Sequence, residues 1–539
     1  MALKKDAYLA LEDIVGPDYI TEDTAILDTY NQVWGNRLFY DDKFSTRPGA
    51  VLLPASTDEV QKIVRLCNRY GIMFKPFSSG FENVSLSLAS ENSVTLDLRR
   101  MDKIVDIDEK NCRAVVEPYV NSYRLQLVLA KMGLFYPPVC CGPSAGVVAA
   151  SCAHFGANIT QVFTGGLGRN VLGAEWVLPN GELFTLGSAE SGRGWFSGDG
   201  PGISMRGILR GQSGANGGHG VITKAAVKCY PWYGPSEWKF EGPLPSLKHP
   251  PKVLDGFGFQ VLTFPSEELL FDAVRAIGQA EIVYSMAKIH GAHVGEGNDE
   301  MWAMAQKGSP DLIDVLNRSL QVMLGAPSAR ALEYREKLLL NVAEKFGGVL
   351  LPELNTEEEL AWRQNYLFWS MGTVRETFRL ATDFWMSNTG DMSQDLVKRQ
   401  RAESLPDIEK YIEEGALVNP GAFAVHYPYE NYSIGSHLET VFQYDPFDEV
   451  SLAGARKLLA QTYDPKGKFP RYGVPSLVGG LQLENITHIV EDWSPLYDNY
   501  ANWMQKIKQA LDPNAVADWT AYVPNAFPTD RDDSWKAGD

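Results

Sequence analysis

The sequence predicts an α+β fold divided between two large domains. The chain has 539 residues, of which 45% are apolar and 22% charged, so it can form more than one core. Short apolar runs separated by turn residues occupy the N-terminal 230 or so positions. Longer amphipathic stretches follow a proline-rich segment at 242–251, which we take as the linker.

The N-terminal elements are predicted from periodicity and turn chemistry. An apolar strand at 50–54, a helix at 58–70 capped by Ser56 or Thr57, and a strand at 73–75 form a β-α-β unit. Short strands follow at 94–98, 104–107 and 113–117, then a helix at 122–131. The strongest hairpin signal is Asn180-Gly181 between two apolar runs at 175–186.

The second part of the sequence predicts longer helices mixed with short strands. Helical patterns run over 267–279, 328–346, 356–369 and 452–463. A final helix at 497–511 ends at Asp512-Pro513-Asn514, a proline turn. Many aromatic residues occur in this part, and they suit either an aromatic ligand or ordinary helix packing.

Charge and cysteine content favour a small-molecule partner. The net charge of -18 argues against binding nucleic acid or an anionic membrane through bulk electrostatics. No run of 18 apolar residues occurs, and the start of the chain is polar, so we expect a cytoplasmic protein. The six cysteines have no Cys-x-x-Cys spacing, so we expect reduced thiols and no metal site.

Three glycine-rich turns could bring backbone amides close to phosphate oxygens. They lie at 78–80, 164–168 and 211–220. None matches the Walker pattern, and none opens a helix directly after a strand in the Rossmann manner. The order of the elements therefore carries more information than any single loop.

Nine motifs resemble the FAD domain of the vanillyl-alcohol oxidase and p-cresol methylhydroxylase (VAO/PCMH) flavoprotein superfamily, of the FAD-linked oxidase type. The similarity extends over about 30–235 and the last 40 or so residues. The motifs are RPGAVLLPASTDEV at 47–60, KPFSSG at 75–80, LDLRRM at 96–101, VEPYV at 116–120, GLFYPP at 133–138, LGAEWVLPNG at 172–181, RGILRGQS at 206–213, GVITK at 220–224 and ALDPN at 510–514.

The resemblance implies a PCMH-type FAD-binding domain of two α+β subdomains at 1–236. It further implies an α+β cap, or substrate, domain at 237–490, and a C-terminal segment at 491–539 that returns to the FAD domain. The cofactor-binding residues it implies are Pro76, Phe77, Ser78, Ser79, Gly80, Phe81, Glu82, Asn83, Pro143, Ser144, Gly146, Val147, Gly220, Val221 and Ile222. Non-covalent FAD is expected, because neither 77–83 nor 388–391 contains a histidine, although His426 stays open as a linkage site.

The resemblance also limits the substrate class. Phenol-oxidising relatives hold the phenolate with an Asp-Arg pair and a Tyr-Arg pair. Here the first pair falls at Ala150-Ser151, and the second falls at Tyr472-Gly473, with Arg471 on the wrong side of the tyrosine. The usual clamp is therefore missing or rebuilt.

Four residues are predicted to be catalytic. His437 and Tyr472 would bind or deprotonate the substrate, with Arg471 beside the tyrosine, and His154 would flank the flavin or act as a structural histidine. The predicted function is an FAD-dependent oxidoreductase that transfers a hydride between a small organic substrate and flavin N5. An aromatic or phenolic alcohol is one candidate for that substrate.

Alternatives stay open. The segment His290-Gly-Ala-His293-Val-Gly-Glu296 resembles a signature of D-2-hydroxy-acid dehydrogenases, yet Glu296 replaces its aspartate and a surface loop fits as well. Redox-neutral use of the flavin, as in alkyl-dihydroxyacetone-phosphate synthase, is a second alternative. A flavin-binding electron-transfer subunit is a third. We expect a homo-oligomer and leave the electron acceptor unassigned.

Overall fold

The computed structural model describes most of the chain, with gaps. The described residues are 3–31, 38, 46–80, 88, 90–139, 144–153, 156–187, 195, 198, 204–209, 218–237, 252–289, 310–369, 383–418, 425–426, 429–464, 466–467, 494–497 and 499–518. The linker predicted at 242–251 and the histidine-containing segment at 290–296 lie outside them.

The first sheet has four strands in the order β1-β2-β4-β3. Strands β2 and β3 both run parallel to β4, which lies between them, so the predicted β-α-β unit encloses a third strand. The elements of this region are β1 Ile20–Thr21, β2 Ala50–Leu52, β3 Met73–Phe77, β4 Ser93–Asp97, α1 Lys5–Val15, α2 Thr24–Leu27 and α3 Thr57–Tyr70.

Helix α3 shows why the predicted boundaries are accurate here. The Ser56 hydroxyl accepts a hydrogen bond from the Glu59 amide at 3.2 Å, which is N-capping. Gly71, with φ of 64°, ends the helix in the left-handed conformation. Between these ends the buried face presents Val60, Ile63 and Cys67 to the first sheet.

The second sheet has five antiparallel strands in the order β5-β6-β10-β8-β9. The predicted hairpin is present as β8 and β9, and its loop holds three residues between the paired Leu178 and Glu182. The elements of this region are β5 Ile104–Asp108, β6 Arg113–Val116, β7 Leu134–Phe135, β8 Val171–Val177, β9 Leu183–Leu186, β10 Val221–Lys228, β11 Tyr230–Pro231, α4 Ser122–Leu129, α5 Val147–Cys152, α6 Gln161–Thr164 and α7 Arg206–Leu209.

Two further sheets follow. The third has the order β13-β14-β12-β15, and in the fourth β19 pairs with β16, β17 and β18. The elements are β12 Phe257–Thr263, β13 Val283–Lys288, β14 Ser319–Gly325, β15 Val349–Leu350, β16 Asp383–Ser393, β17 Val425–His426, β18 Tyr429–Glu430, β19 Gly435–Tyr444, α8 Glu267–Gln279, α9 Pro310–Asn317, α10 Ala329–Glu344, α11 Glu357–Trp369, α12 Gln394–Glu413 and α13 Glu449–Tyr463.

The last described element brings the end of the chain back to the first sheet. After α14, Tyr500–Leu511, the backbone at Ala517 runs parallel to Phe74 of β3. The Phe74 amide donates to Val516 O, and the Asp518 amide donates to Phe74 O, both at 2.8 Å. Residues 516–518 therefore extend the first sheet at its β3 edge.

An aromatic core joins the two-stranded sheet formed by β7 and β11 to the third sheet. Phe135 of β7 stacks on Trp232 with ring centroids 5.9 Å apart, and Phe368 of α11 meets both rings edge-on. Trp362 and Tyr429 are also buried in hydrophobic cores. For these three aromatic residues, Trp362, Phe368 and Tyr429, packing is the confirmed role.

The described residues contain neither a membrane-spanning helix nor a cluster of metal ligands. No helix among them is long and apolar enough to cross a membrane. Within the same ranges, no three His, Cys, Asp or Glu side chains are placed to hold a metal ion.

Candidate cofactor and active site

Two loops predicted to bind the cofactor meet directly. Strand β3 ends at Phe77, and the loop Ser78–Gly80 follows it. The Gly146 amide, just before α5, donates a hydrogen bond to the Ser79 hydroxyl at 3.0 Å. We call Ser78–Gly80 together with Gly146 the cradle.

The cradle is shaped by the absence of side chains. A Cβ on Gly146 would lie 3.1 Å from Pro118 O and 3.2 Å from Ser78 Oγ. Gly80 has φ of 62°, in the left-handed region, where a Cβ would overlap the Phe77 ring. The amides of Gly146 and Val147 already donate to Ser79 Oγ and Val120 O. These two residues therefore offer a ligand close backbone approach rather than uncommitted N–H groups.

The third predicted segment lies on the second sheet. Gly220 has φ of 108°, and a Cβ there would overlap Val177 O, so only glycine fits this turn. Val221 and Ile222 open β10 and pair with Val177 and Trp176 of β8. Val221 is fully buried in a core that also contains Phe74 and Ala517, so this segment adjoins the strand that leads to the cradle.

A buried charged cluster fastens the C-terminal segment beside these loops. The Lys508 ammonium donates to Asp512 Oδ2 at 2.6 Å, to Ala517 O at 2.8 Å and to Gly218 O. Asp512 in turn accepts from the amides of Val516 and Ala517, each at 3.0 Å. We call this arrangement the C-terminal clasp.

A second buried ion pair lies next to the clasp. Lys75 Nζ lies 3.7 Å from Asp518 Oδ1, and both side chains are almost fully buried. Burial lowers the pKa of Lys75 to about 8, and Asp518 partly opposes that shift.

Comparison with known proteins identifies the fold and the cofactor. Residues 48–187, which include the first cradle loop and Gly146, match the family described as FAD binding domain. The structure resembles p-cresol methylhydroxylase over 96% of this chain and 97% of that chain, with TM-score 0.71 and 17% identity. It resembles 4-ethylphenol oxidase from Gulosibacter chungangensis over 95% of each chain, with TM-score 0.70 and 18% identity.

Residues 48–187 therefore form an FAD binding domain, and the chain shares the overall fold of p-cresol methylhydroxylase. The predicted α+β fold with a PCMH-type FAD-binding domain is confirmed, and the cofactor of the protein is FAD.

The curated proteins that are similar in sequence are named differently from the structural neighbours. Glycolate oxidase subunit GlcD of Bacillus subtilis is 28% identical over 238 residues, which are 42% of this chain and 46% of that protein. D-2-hydroxyglutarate dehydrogenase of Stutzerimonas stutzeri is 26% identical over 183 residues, 33% of this chain and 37% of that protein. The chain thus spans less than half the length of these curated relatives.

The cradle residues fit an FAD diphosphate. Glycine stands at 80, 146 and 220, where the backbone turns sharply or where neighbouring atoms crowd the Cβ position. A surface free of side chains leaves room for a bulky phosphate ester beside the main chain. Phe81, Glu82, Asn83 and Pro143 lie outside the described residues, and Ser144 is exposed.

His437 is the predicted catalytic residue whose side chain the structure describes. It is fully buried on β19, where it pairs across the sheet with Asp391 of β16. His154, Arg471 and Tyr472 lie outside the described residues. The structure therefore places the cradle and His437 on separate elements, and the roles of all four candidates stay predictions.

A strained turn holds the strand of His437 against the FAD-binding part of the molecule. Asn431, Tyr432 and Ser433 have φ of 44°, 55° and 66°, three successive left-handed residues without a glycine. The amides of Asn431 and Tyr432 donate to Gln161 O at 3.1 Å and Val162 O at 2.7 Å, both on α6. These contacts position the start of β19 relative to the α6 region.

The described residues include Ala150-Ser151, the position at which the resemblance predicts the first phenolate pair. Ser151 lies on α5, is fully buried, and its hydroxyl lies 2.8 Å from the Tyr136 hydroxyl. Burial raises the pKa of Tyr136, so its phenol stays neutral. A pair of neutral hydroxyl groups therefore lies at the position predicted for that phenolate pair.

The sequence did not point to one buried charged pair on α11. Arg363 is almost fully buried, and its guanidinium lies 3.4 Å from Glu359 Oε2. Burial raises the pKa of Glu359 more strongly than Arg363 lowers it. The Glu-x-x-x-Arg spacing is visible in the sequence, but it equally describes an exposed helix pair, so burial is the deciding information.

Proposed function

We propose that this chain is an FAD-dependent oxidoreductase that moves a hydride between a carbon of a small organic substrate and flavin N5. The observation that carries the proposal is the cradle, in which the Ser78–Gly80 loop and Gly146 meet within the FAD binding domain. When bound, FAD supplies the hydride acceptor.

In this proposal the protein binds, orients and deprotonates the substrate. His437 is buried, so its imidazole can exchange a proton with a substrate without competition from bulk water. Tyr472 and Arg471 would bind the substrate beside it, and His154 would flank the flavin. FAD is held without a covalent bond.

The proposed domains are an FAD-binding domain at 1–236, a cap at 237–490 and a returning segment at 491–539. The pairing of Ala517 with Phe74 supports the return of the third segment. A homo-oligomer and a cytoplasmic location stay predictions, and the electron acceptor is unassigned.

A D-2-hydroxy acid is the second candidate substrate. Several sequence relatives bear names of enzymes that act on such acids, including D-2-hydroxyglutarate dehydrogenase and the probable mitochondrial D-lactate dehydrogenase of Danio rerio.

Anaerobic mixing tests the proposal. The purified yellow protein is mixed with phenols, primary alcohols and D-2-hydroxy acids in turn, and loss of the visible flavin absorbance identifies the substrate class. Readmitting air then separates an oxidase from a dehydrogenase. A flavin that no small molecule bleaches, and that only a protein partner reduces, would favour an electron-transfer subunit.

The variant His437→Ala tests the catalytic assignment. We expect bleaching to slow by about 10²–10⁴-fold, the usual contribution of a positioned acid or base. The control is Tyr334→Ala on α10, because Tyr334 is exposed and distant in sequence from the candidates. Equal rates in the wild type and His437→Ala would remove His437 from the mechanism.

A further inference from the structure

His219 is a buried histidine that is not part of the cradle. Its side chain is 4% exposed, yet neither imidazole nitrogen has a hydrogen-bond partner among the described residues. An unmade hydrogen bond on a buried polar group is expensive, and such groups normally have a partner that completes them. Two nitrogens on one ring make the deficit unusual.

The backbone around His219 is fixed on both sides. The carbonyl of His219 accepts from Trp176 Nε1 at 2.8 Å, and the preceding Gly218 carbonyl accepts from Lys508. The following Gly220 is held in a conformation that only glycine adopts. The imidazole therefore cannot reach other partners by a simple backbone shift.

The location of His219 is the junction of the two FAD-binding subdomains. It directly precedes Gly220 and Val221, and Val221 packs in one core with Phe74 of β3. Strand β3 leads into the cradle loop, and the C-terminal clasp lies beside Gly218. His219 thus directly precedes the segment 220–222, which the sequence analysis assigns to cofactor binding.

The protonation state of the ring narrows what it can bind. Burial, with a smaller effect of the nearby Lys508, lowers the pKa of His219 to about 3. A neutral imidazole has one N–H donor and one acceptor nitrogen. A diphosphate offers acceptors alone and would satisfy only half of the ring, whereas a hydroxyl group satisfies both nitrogens.

We propose that His219 is a direct hydrogen-bonding contact of bound FAD, made to a sugar-type hydroxyl of its ribityl or ribose part rather than to the diphosphate. The inference deepens the cofactor assignment on which the proposed function rests. It assigns His219 to cofactor binding and not to proton transfer.

Titration of FAD into the full-length apoprotein, followed by quenching of flavin fluorescence, tests this inference. We expect His219→Phe, which keeps an aromatic ring without hydrogen bonds, to raise the dissociation constant about tenfold, the loss of roughly one hydrogen bond. His219→Gln keeps a donor and an acceptor and is expected to stay within about threefold of the wild type. The matched control is Tyr136→Phe, which removes a buried hydroxyl whose partner is Ser151.

Thermal unfolding of the same apoproteins separates binding from folding. A binding role predicts that His219→Phe leaves the apoprotein at least as stable as the wild type, because two unpaired polar atoms disappear. An unchanged FAD affinity in His219→Phe overturns the inference, whatever happens to stability. Failure of the wild type itself to bind FAD would instead overturn the cofactor assignment and the proposed function with it.

If acid precipitation leaves the flavin attached to the protein, the flavin is covalently bound and FAD cannot be titrated into an apoprotein. The same variants are then compared by a different measurement. The urea concentration at which flavin fluorescence rises is then measured for the wild type and the three variants. A lower midpoint in His219→Phe alone supports the contact. Equal midpoints in the wild type and His219→Phe contradict it.

Discussion

At the scale of single residues, Gly220 has the most restricted backbone near the proposed cofactor site. Its φ of 108° is costly for any residue with a Cβ, and that atom would overlap Val177 O. We expect Gly220→Ala to lower the free energy of unfolding by at least ~2 kcal/mol in urea titrations. Gly207→Ala is the control, because Gly207 lies in α7 with open space around it. A change of similar size in both variants would contradict this explanation.

Lys75 predicts a specific pH dependence of stability. The folded protein lowers its pKa from 10.5 to about 8, so between these values the unfolded chain binds more protons than the folded one. Stability should therefore rise with pH across this window, and the cost of burying the charge is fully present below pH 8. The gain is up to ~3 kcal/mol, at about 1.4 kcal/mol per pKa unit.

The measurement is the difference in unfolding free energy between the wild type and Lys75→Met from pH 7 to 10.5. Tyrosines and cysteines that titrate in the same range are present in both proteins, so their effects largely cancel. For Lys62→Met, at an exposed position of α3, the difference in unfolding free energy from the wild type should not change with pH. If the difference for Lys75→Met is also independent of pH, the lowered pKa of Lys75 is refuted.

Single-residue features divide into those visible in the sequence and those that only the fold reveals. Gly80, Gly146 and Gly220 were predicted from motif resemblance, and the structure gives each a steric reason to be glycine. The contact of Lys508 with Gly218 and the environment of His219 could not be predicted, because they join positions almost three hundred residues apart. Sequence patterns report local periodicity, not which distant carbonyl a buried ammonium will meet.

At the scale of elements, the C-terminal clasp makes α14 part of the FAD-binding fold. Removing the Lys508 ammonium leaves the buried Asp512 without its counter-charge, since both side chains are almost fully buried. We expect Lys508→Met to lower the free energy of unfolding by about 3–5 kcal/mol. Lys506→Met, on the exposed side of the same helix, should cost less than ~0.5 kcal/mol. Equal losses of unfolding free energy in the two variants would show that the C-terminal clasp does not stabilise the fold.

Element prediction succeeded where capping is local. The predicted 267–279 helix agrees with α8, and the Ser266 hydroxyl caps it by accepting from the Leu269 amide. Helix α13 begins at Glu449 rather than at 452, because Asp448 caps it through the Ser451 amide at 2.8 Å. The placement of β4 between β2 and β3 was not predictable, since strand order depends on long-range pairing.

At the scale of the whole molecule, FAD should stabilise the protein by mass action. Ligand at a hundred times its dissociation constant adds about 2.7 kcal/mol to the free energy of unfolding. We expect melting temperatures to rise with FAD concentration, and to rise less with FMN, which lacks the diphosphate bridge and the adenosine. His437→Ala should gain as much as the wild type, because His437 lies on β19 and not in the cradle. A smaller gain in His437→Ala would mean that the cap senses the cofactor.

The pairing of Phe74 with Ala517 has a consequence for biosynthesis. The β3 edge of the first sheet stays open until residues 516–518 have left the ribosome. At the usual ~5–20 residues per second of translation, that wait lasts tens of seconds. An unpaired strand edge invites association with other nascent chains, so slow or interrupted synthesis should send this protein toward aggregates, and chaperones that shield strand edges should improve its yield.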